Sequence, residues 1–212
     1  MLRFVVFLCL SSSVLAGLGL DAVQYIAPKT FQCLAGNGFS FFAGRLWQRY
    51  NYVDNNGVLN IANARSAGFK EIYGYIYPCI SSDCPPPEGQ VQAVLRALKA
   101  NGASCDKIFI DVEQPGWPSN STFNQDFITR MGSELDYQGA AWGIYTNEDN
   151  WKAVTGGKWT KMKNQPLWWA EPNNNQDFNG YYPFGGWRMP YMHQYQTDSS
   201  SCGVSLDRIW HP

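Results

Sequence analysis

Apolar and polar positions along the chain switch between a two-residue period and a helical period. Short apolar runs, bounded by glycine, proline or asparagine, predict eight strands. The first ends near Asp21, the second runs from Phe39 to about Gly44, and the third stops at Pro78. In order, the remaining predicted strands are KIFIDVE, AAWGIYT, PLWWA, YMHQYQ and VSLDRIW.

Helical spacing fills the gaps between the earlier strands. The clearest helix follows three prolines, carries Val91, Val94, Leu95 and Leu98 on one face, and stops at the Asn101-Gly102 pair. No convincing helix separates the last three strands. The other predicted helices are VLNIANARSAG, the segment with Phe123, Phe127, Met131 and Leu135, and NEDNWKAVTGG, which opens at Asn147 or Asp149.

Strands that alternate with helices in a chain of 212 residues predict one domain built on a parallel sheet. Eight strands favour a closed barrel over an open sheet. Because helices are missing late in the chain, we expect a reduced version of the eightfold α/β-barrel, a modified TIM-like barrel.

The first residues have the pattern of a secretory signal peptide. Arg3 precedes an apolar stretch from Phe4 to Leu10, and Ala16 offers a small residue for cleavage. The stretch is shorter than the roughly 20 residues that span a bilayer. We expect residues 1–16 to be removed and residues 17–212 to form the secreted, soluble domain; a buried N-terminal strand or helix is the alternative.

The overall charge narrows the class of partner. The chain carries 16 basic and 17 acidic residues, so it lacks the basic excess that nucleic-acid binding requires. The same balance argues against adhesion to membranes by bulk charge. We expect a monomer that binds neither nucleic acid nor membrane.

Five cysteines would remain after signal cleavage, and an oxidising compartment favours disulfides. An odd number leaves at least one thiol free or paired outside the chain. Cys79 and Cys84 enclose four residues and are spaced to close a small loop. Zinc is the rival interpretation, but there is no second close cysteine pair, and His193 and His211 lie far away in sequence.

Two carboxylates end the central strand KIFIDVE. Asp111 and Glu113 lie two positions apart, so they share one side of the strand while Val112 faces the other. The carboxyl ends of parallel strands are where α/β folds build their sites. Neighbouring carboxylates raise each other's pKa, which keeps one protonated as a general acid.

Two further aspartates occupy comparable places in the first and last strands. These strands are neighbours in a closed barrel, so Asp21 and Asp207 are expected to line the same mouth as the central pair. The alternative for either aspartate is a turn cap or an ion pair with Arg45 or Arg208.

Several motifs occur in the order typical of one enzyme family. GLDAVQ, FIDVE, GIYTN, LWWA, HQYQ and VSLDRIW together resemble glycoside hydrolase family 25, the Chalaropsis-type lysozymes, in its eukaryotic secreted form. The resemblance covers nearly all of residues 17–212. It implies a barrel of eight strands and five helices. It also implies hydrolysis of the β-1,4 bond between N-acetylmuramic acid and N-acetylglucosamine in bacterial peptidoglycan, for defence or digestion.

The resemblance also implies roles for individual residues. Glu113 matches the general acid, and Asp111 matches the carboxylate that orients the N-acetyl group or stabilises the oxocarbenium-like centre. Asp21 and Asp207 match the other acidic positions of the pocket, and no metal or cofactor is implied. Candidate substrate contacts are Tyr77, Tyr145, Trp169 and Gln194, whereas Trp168 is expected to face the core or the helices.

Two other functions compete with a muramidase. A catalytically silent glycan-binding protein would have the same barrel but no need of a buried acid. A chitinase-like hydrolase would carry a further aspartate two residues before Asp111, where this chain has Phe109.

Overall fold

The computed structural model describes residues 17–114 and 116–212; the expected signal segment, residues 1–16, lies outside the described residues. Strands and helices alternate up to the last third of the chain. The strands are β1 (Gly17–Ala22), β2 (Phe41–Gln48), β3 (Tyr52–Val53), β4 (Glu71–Ile76), β5 (Lys107–Asp111), β6 (Trp142–Thr146), β7 (Leu167–Ala170), β8 (Met192–Ser201) and β9 (Val204–His211). The helices are α1 (Pro28–Gly36), α2 (Asn55–Ser66), α3 (Pro87–Ala100), α4 (Ser121–Tyr137) and α5 (Glu148–Thr155).

Eight of the strands close into a barrel. Their order is β1, β9, β8, β7, β6, β5, β4 and β2, and β1 pairs with β2 to complete the circle. The short strand β3 pairs only with the end of β2, as an antiparallel extension outside the barrel. The predicted eight-stranded barrel with five helices in one domain is therefore confirmed.

The barrel departs from the predicted parallel sheet at one strand. β9 runs antiparallel to both of its neighbours, β1 and β8. Only Cys202 and Gly203 join β8 to β9, and both have positive φ angles, 52° and 75°. A two-residue connection of this kind makes a hairpin, whereas a parallel crossover needs a dozen residues or more.

An apolar plug fills the barrel below its C-terminal mouth. Within it, the Phe109 ring contacts Trp168 and Tyr73 edge-on, with ring centroids 5.5 and 5.9 Å apart. A Cβ atom at Gly19 would lie 2.1 Å from the Phe41 ring, so only glycine fits there. The buried members of the plug are Phe41, Ala43, Tyr73, Phe109, Trp168, Met192 and Ile209.

The four predicted helices form, with two differences: Phe123 on α4 is 43% exposed, and α2 begins at Asn55 rather than at the predicted Val58. In α3, Val91, Val94 and Leu98 are buried and the chain turns away at Asn101. Asn147 caps α5 by accepting a hydrogen bond from the Asn150 backbone amide at 2.8 Å. Helix α1 and strand β3 were not predicted; α1 buries only two side chains, Phe31 and Leu34, in nine residues, too few to show a period.

Two disulfides bond four of the five described cysteines. Cys33 in α1 is bonded to Cys202 in the β8–β9 turn, and Cys79 is bonded to Cys84 in a small loop after β4. Cys105 is the free thiol. Within the described ranges, none of the helices combines the length and apolar character needed to cross a bilayer.

Candidate active site

A cavity of about 180 Å³ opens at the C-terminal ends of the barrel strands. The apolar plug closes it from below, with Trp168 as the residue that belongs to both plug and cavity wall. Side chains from all eight barrel strands or their extensions meet there. The lining residues are Asp21, Arg45, Tyr75, Tyr77, Asp111, Glu113, Tyr145, Trp168, Gln194 and Asp207.

Strand periodicity accounts for this convergence. Along β5 and its extension, Phe109 and Asp111 face the barrel interior, whereas Ile108, Ile110 and Val112 lie in the outer core against the helices. Glu113 follows at the next inward position. The seven residues from the sequence that the structure brings together here are Asp21, Tyr77, Asp111, Glu113, Tyr145, Gln194 and Asp207.

Trp169 is the one candidate that does not reach the cavity. Its indole lies outside the barrel and stacks on the His193 ring, with centroids 4.3 Å apart. Trp168 faces inward instead and contacts the Tyr145 ring at 4.7 Å. The expectations for this tryptophan pair were therefore reversed. Register explains the reversal, because Trp168 pairs with the inward-facing Tyr145, and neighbouring residues on a strand face opposite sides.

Three cavity residues were not predicted as such: Arg45, Tyr75 and Trp168. The two-residue period of the strand predicts that Tyr75 faces inward, because Tyr75 lies between Tyr73 and Tyr77 on the same face. Arg45 follows the inward Ala43 in the same way. A charged residue within a buried strand can instead face outward to an ion pair, and the sequence does not separate these two cases.

A series of hydrogen bonds links side chains from four strands across the mouth. The Tyr145 hydroxyl donates to Gln194 Oε1 at 2.7 Å. Gln194 Nε2 donates in turn to Asp21 Oδ2 at 2.8 Å and to Asp207 Oδ2 at 3.2 Å. The backbone amide of Asp198 donates to the other oxygen of Asp207 at 2.9 Å. The amide of Gln194 thus separates two carboxylates that would otherwise repel each other directly.

Burial dominates the electrostatics of the central pair. Removal from water raises the pKa of Asp111 well above its usual value, and the charges of Glu113 and Asp21 raise it further, against the opposing effect of Arg45. Burial also raises the pKa of Glu113; a hydrogen bond with Tyr145 lowers it and the charge of Asp207 raises it. Both groups therefore hold protons more tightly than free carboxyls do.

Asp21 shows the same balance on the opposite wall. Burial raises its pKa most, Asp207 adds to the rise, and the hydrogen bond from Gln194 opposes it. Arg45 is the cation of the cavity wall, but its Nε also donates to Asp54 Oδ2 at 2.8 Å. Its charge is shared with a buried carboxylate outside the cavity, so Arg45 neutralises the acidic cluster only in part.

Comparisons with known proteins agree with the geometry. The sequence profile of the family described as Lysozyme-like protein 1 matches residues 12–195. Lysozyme-like protein 5 of Caenorhabditis elegans is 38% identical, covering 92% of this chain and 91% of that protein. Probable GH family 25 lysozyme 4 of Dictyostelium discoideum is 32% identical, covering 100% and 98%.

The chain belongs to glycoside hydrolase family 25 (GH25). The family resemblance seen in the ordered sequence motifs is thereby confirmed. A solved GH25 lysozyme from Aspergillus fumigatus superposes with a TM-score of 0.69, covering 93% of this chain and 94% of that one. At 16% sequence identity, this likeness shows the shared fold alone.

Two buried polar atoms in the wall of the GH25 cavity have no hydrogen-bond partner among the described residues. They are Asp111 Oδ1, an acceptor when ionised, and Trp168 Nε1, a donor. Unpaired buried polar groups are costly, and binding of a polar ligand is one way to satisfy them. The site can therefore offer a proton from one carboxyl and a hydrogen-bond donor beside it.

We predict that Asp111→Asn stabilises the protein at neutral pH. Because the folded-state pKa of Asp111 is raised, its contribution to stability is full below the unfolded pKa, about 3.9, and is lost as pH rises through the folded pKa. The amide cannot ionise. Thermal unfolding should thus show a higher Tm for the variant at pH 7 and a much smaller gain at about pH 4.

Asp126→Asn, on an exposed part of α4, is the matched control, and it should change the Tm little at either pH. A lower Tm for Asp111→Asn at pH 7 would contradict the account of a destabilising buried charge.

Proposed function

We propose that this GH25 chain is a secreted N-acetylmuramidase that hydrolyses the β-1,4 bond between N-acetylmuramic acid and N-acetylglucosamine in bacterial peptidoglycan. The observation that carries the proposal is the position of Glu113, a partly buried carboxyl that lines the cavity together with Asp111. Burial there raises the pKa of Glu113. The lysozyme names of two relatives across the whole domain support the same reaction class.

Glu113 is the general acid in this proposal. Cleavage of a glycosidic bond needs a proton on the leaving oxygen, and a carboxyl protonated near neutrality supplies it. Glu113 is less buried than Asp111, which is 3% exposed, so Glu113 is the member of the pair better able to reach a ligand oxygen.

Asp111 acts deeper in the cavity. An ionised Asp111 stabilises the positive charge that develops at the anomeric carbon or orients the N-acetyl group of the sugar. Its unpaired Oδ1 fits either role, since the atom has an acceptor site that no residue of the described chain fills. An ionised Glu113 opposes the ionisation of Asp111, because its negative charge raises the pKa of Asp111.

The remaining wall residues bind and orient the sugar. Tyr145, Gln194 and the two outer aspartates form one hydrogen-bonded set, so their positions are fixed before a ligand enters. Trp168 forms the floor, and its indole N–H has no partner in the part of the chain that the structure describes. Tyr77 lies on the wall near Asp111 and Glu113. Burial raises the pKa of its phenol most, and the charges of Asp111 and Glu113 raise it further.

Glu113→Gln should reduce clearing of a bacterial cell-wall suspension by about 10²–10⁴-fold, the usual value of a general acid. In the wild type, kcat/KM should fall on the alkaline side as Glu113 loses its proton, at a pH above the ordinary value of about 4.3. Mass spectrometry of the products should find a reducing N-acetylmuramic acid end.

Glu171→Gln is the matched control, since Glu171 is an exposed glutamate after β7 and outside the cavity. Unimpaired clearing by Glu113→Gln would refute the acid assignment. A wild-type protein that binds walls without cutting them would instead establish the silent glycan-binding alternative, and a reducing glucosamine end would indicate a different bond specificity.

Secretion is the second part of the proposal. The two disulfides support an oxidising compartment, as does the signal-like pattern of residues 1–16. Protein collected from the medium of secreting eukaryotic cells should begin at Gly17. Peptide mapping should recover the Cys33–Cys202 and Cys79–Cys84 cross-links with Cys105 reduced; retention of the chain inside the cells, with residues 1–16 intact, would count against secretion.

A further inference from the structure

The acidic cavity poses an electrostatic problem for a muramyl substrate. Four carboxyl groups line it: those of Asp21, Asp111, Glu113 and Asp207. Every muramic acid carries a lactyl group on O3, which ends in a carboxylate or continues into a stem peptide that carries carboxylates. Such an anion is repelled by the acidic wall unless a cation lies within reach of the bound sugar.

Arg49 is an exposed cation beside this cavity. It follows the last residue of β2, at the same end of the barrel. Its guanidinium carbon lies 5.8 Å from the centroid of the Tyr77 ring, and Tyr77 lines the cavity. One side chain thus separates Arg49 from the carboxylates. Burial raises the pKa of Tyr77 most, Asp111 and Glu113 raise it further, and Arg49 lowers it.

The charge of Arg49 is not neutralised within the described chain. The ion pairs there include Arg45 with Asp54 and Arg65 with Asp106, but no described carboxylate lies within 4.0 Å of the Arg49 guanidinium. Its partners are tyrosines: Nη2 donates to the Tyr50 hydroxyl at 2.9 Å, and the Tyr50 ring centroid lies 5.0 Å from the guanidinium carbon. Neutral partners hold the group while leaving its charge available.

The segment that carries Arg49 is braced from two sides. Gln48 pairs with Tyr52 in the β2–β3 hairpin, and the Tyr52 hydroxyl donates to Gln48 Oε1 at 2.8 Å. Asn51, at the tip, donates from Nδ2 to the backbone oxygen of Asp83 at 3.0 Å. Asp83 lies in the loop that the Cys79–Cys84 disulfide closes. A cation on a braced turn loses less freedom when it binds than one on a mobile loop.

We propose that Arg49 is a specificity-determining residue that binds the carboxylate of the muramyl O3 substituent while the sugar occupies the cavity. The inference rests on the proposed function. The planar guanidinium can donate two parallel hydrogen bonds to a carboxylate, and its placement at the rim suits a group that projects from the sugar ring. A chitin chain has no such carboxylate, so this contact favours muramyl glycans over chitin.

Binding to uncut glycans tests the inference apart from catalysis. In a Glu113→Gln background, calorimetry would measure Kd for three muramyl tetrasaccharides: one with free lactyl carboxylates, one with these converted to methylamides, and one with stem peptides. Arg49→Gln should weaken binding of the free-carboxylate glycan about tenfold, the value of one charge-assisted contact, and leave the methylamide unaffected. Loss confined to the stem-peptide glycan would assign the contact to the peptide carboxylates.

Arg188→Gln is the matched control, because Arg188 is also exposed and lies in the groove with Pro166 and Leu167, at the opposite end of the barrel. It should leave all three affinities unchanged. The role of Arg49 would be overturned if Arg49→Gln left the affinity for the free-carboxylate glycan unchanged. It would also be overturned if the substitution weakened binding of the methylamide glycan by the same factor. Either result would leave the muramidase proposal intact. A Glu113→Gln protein that binds none of the three glycans would instead contradict the proposed function, and the inference with it.

Discussion

The burial of several carboxyl groups in one small cavity is the constraint on which the rest of the site depends. An ionised carboxylate away from water is costly, and two close together cost more. The fold tolerates the cluster for two reasons. Gln194 donates hydrogen bonds to Asp21 and Asp207, and the positive charge of Arg45 opposes the rise in the pKa of Asp111. The residual cost appears as raised pKa values, and these give Glu113 the proton that acid catalysis requires.

The barrel supplies the rigidity that this arrangement needs. The apolar plug closes the cavity from below. The antiparallel strand β9 completes the barrel so that Asp207 lies directly opposite Asp21 in register. The Cys33–Cys202 disulfide fixes the turn that makes β9 antiparallel. The carboxylates therefore stay in place because the strands carrying them cannot separate without disrupting the core.

Much of the fold and of the site follows from the two-residue period of strands. That period places Asp111 and Glu113 on one face, and the polar ends of the other strands converge with them once the barrel closes. It fails where two neighbouring residues are chemically alike. Trp168 and Trp169 are equally apolar, and only the pairing with Tyr145 decides which of them faces inward. Helix α1 buries too few side chains to show a helical period. The antiparallel direction of β9 follows from its two-residue connection to β8, which the alternation within either strand does not reveal.

The titration of individual carboxyl groups tests the central claim most directly. Carbon-13 NMR of the aspartate and glutamate side-chain carboxyls, assigned by single substitutions, follows each proton separately in the folded protein. Asp21, Asp111 and Glu113 should titrate above the ordinary values of about 3.9 for aspartate and 4.3 for glutamate, and Glu113→Gln should lower the pKa of Asp111. Ordinary pKa values for all three groups, unchanged by substitution of a neighbour, would contradict the account.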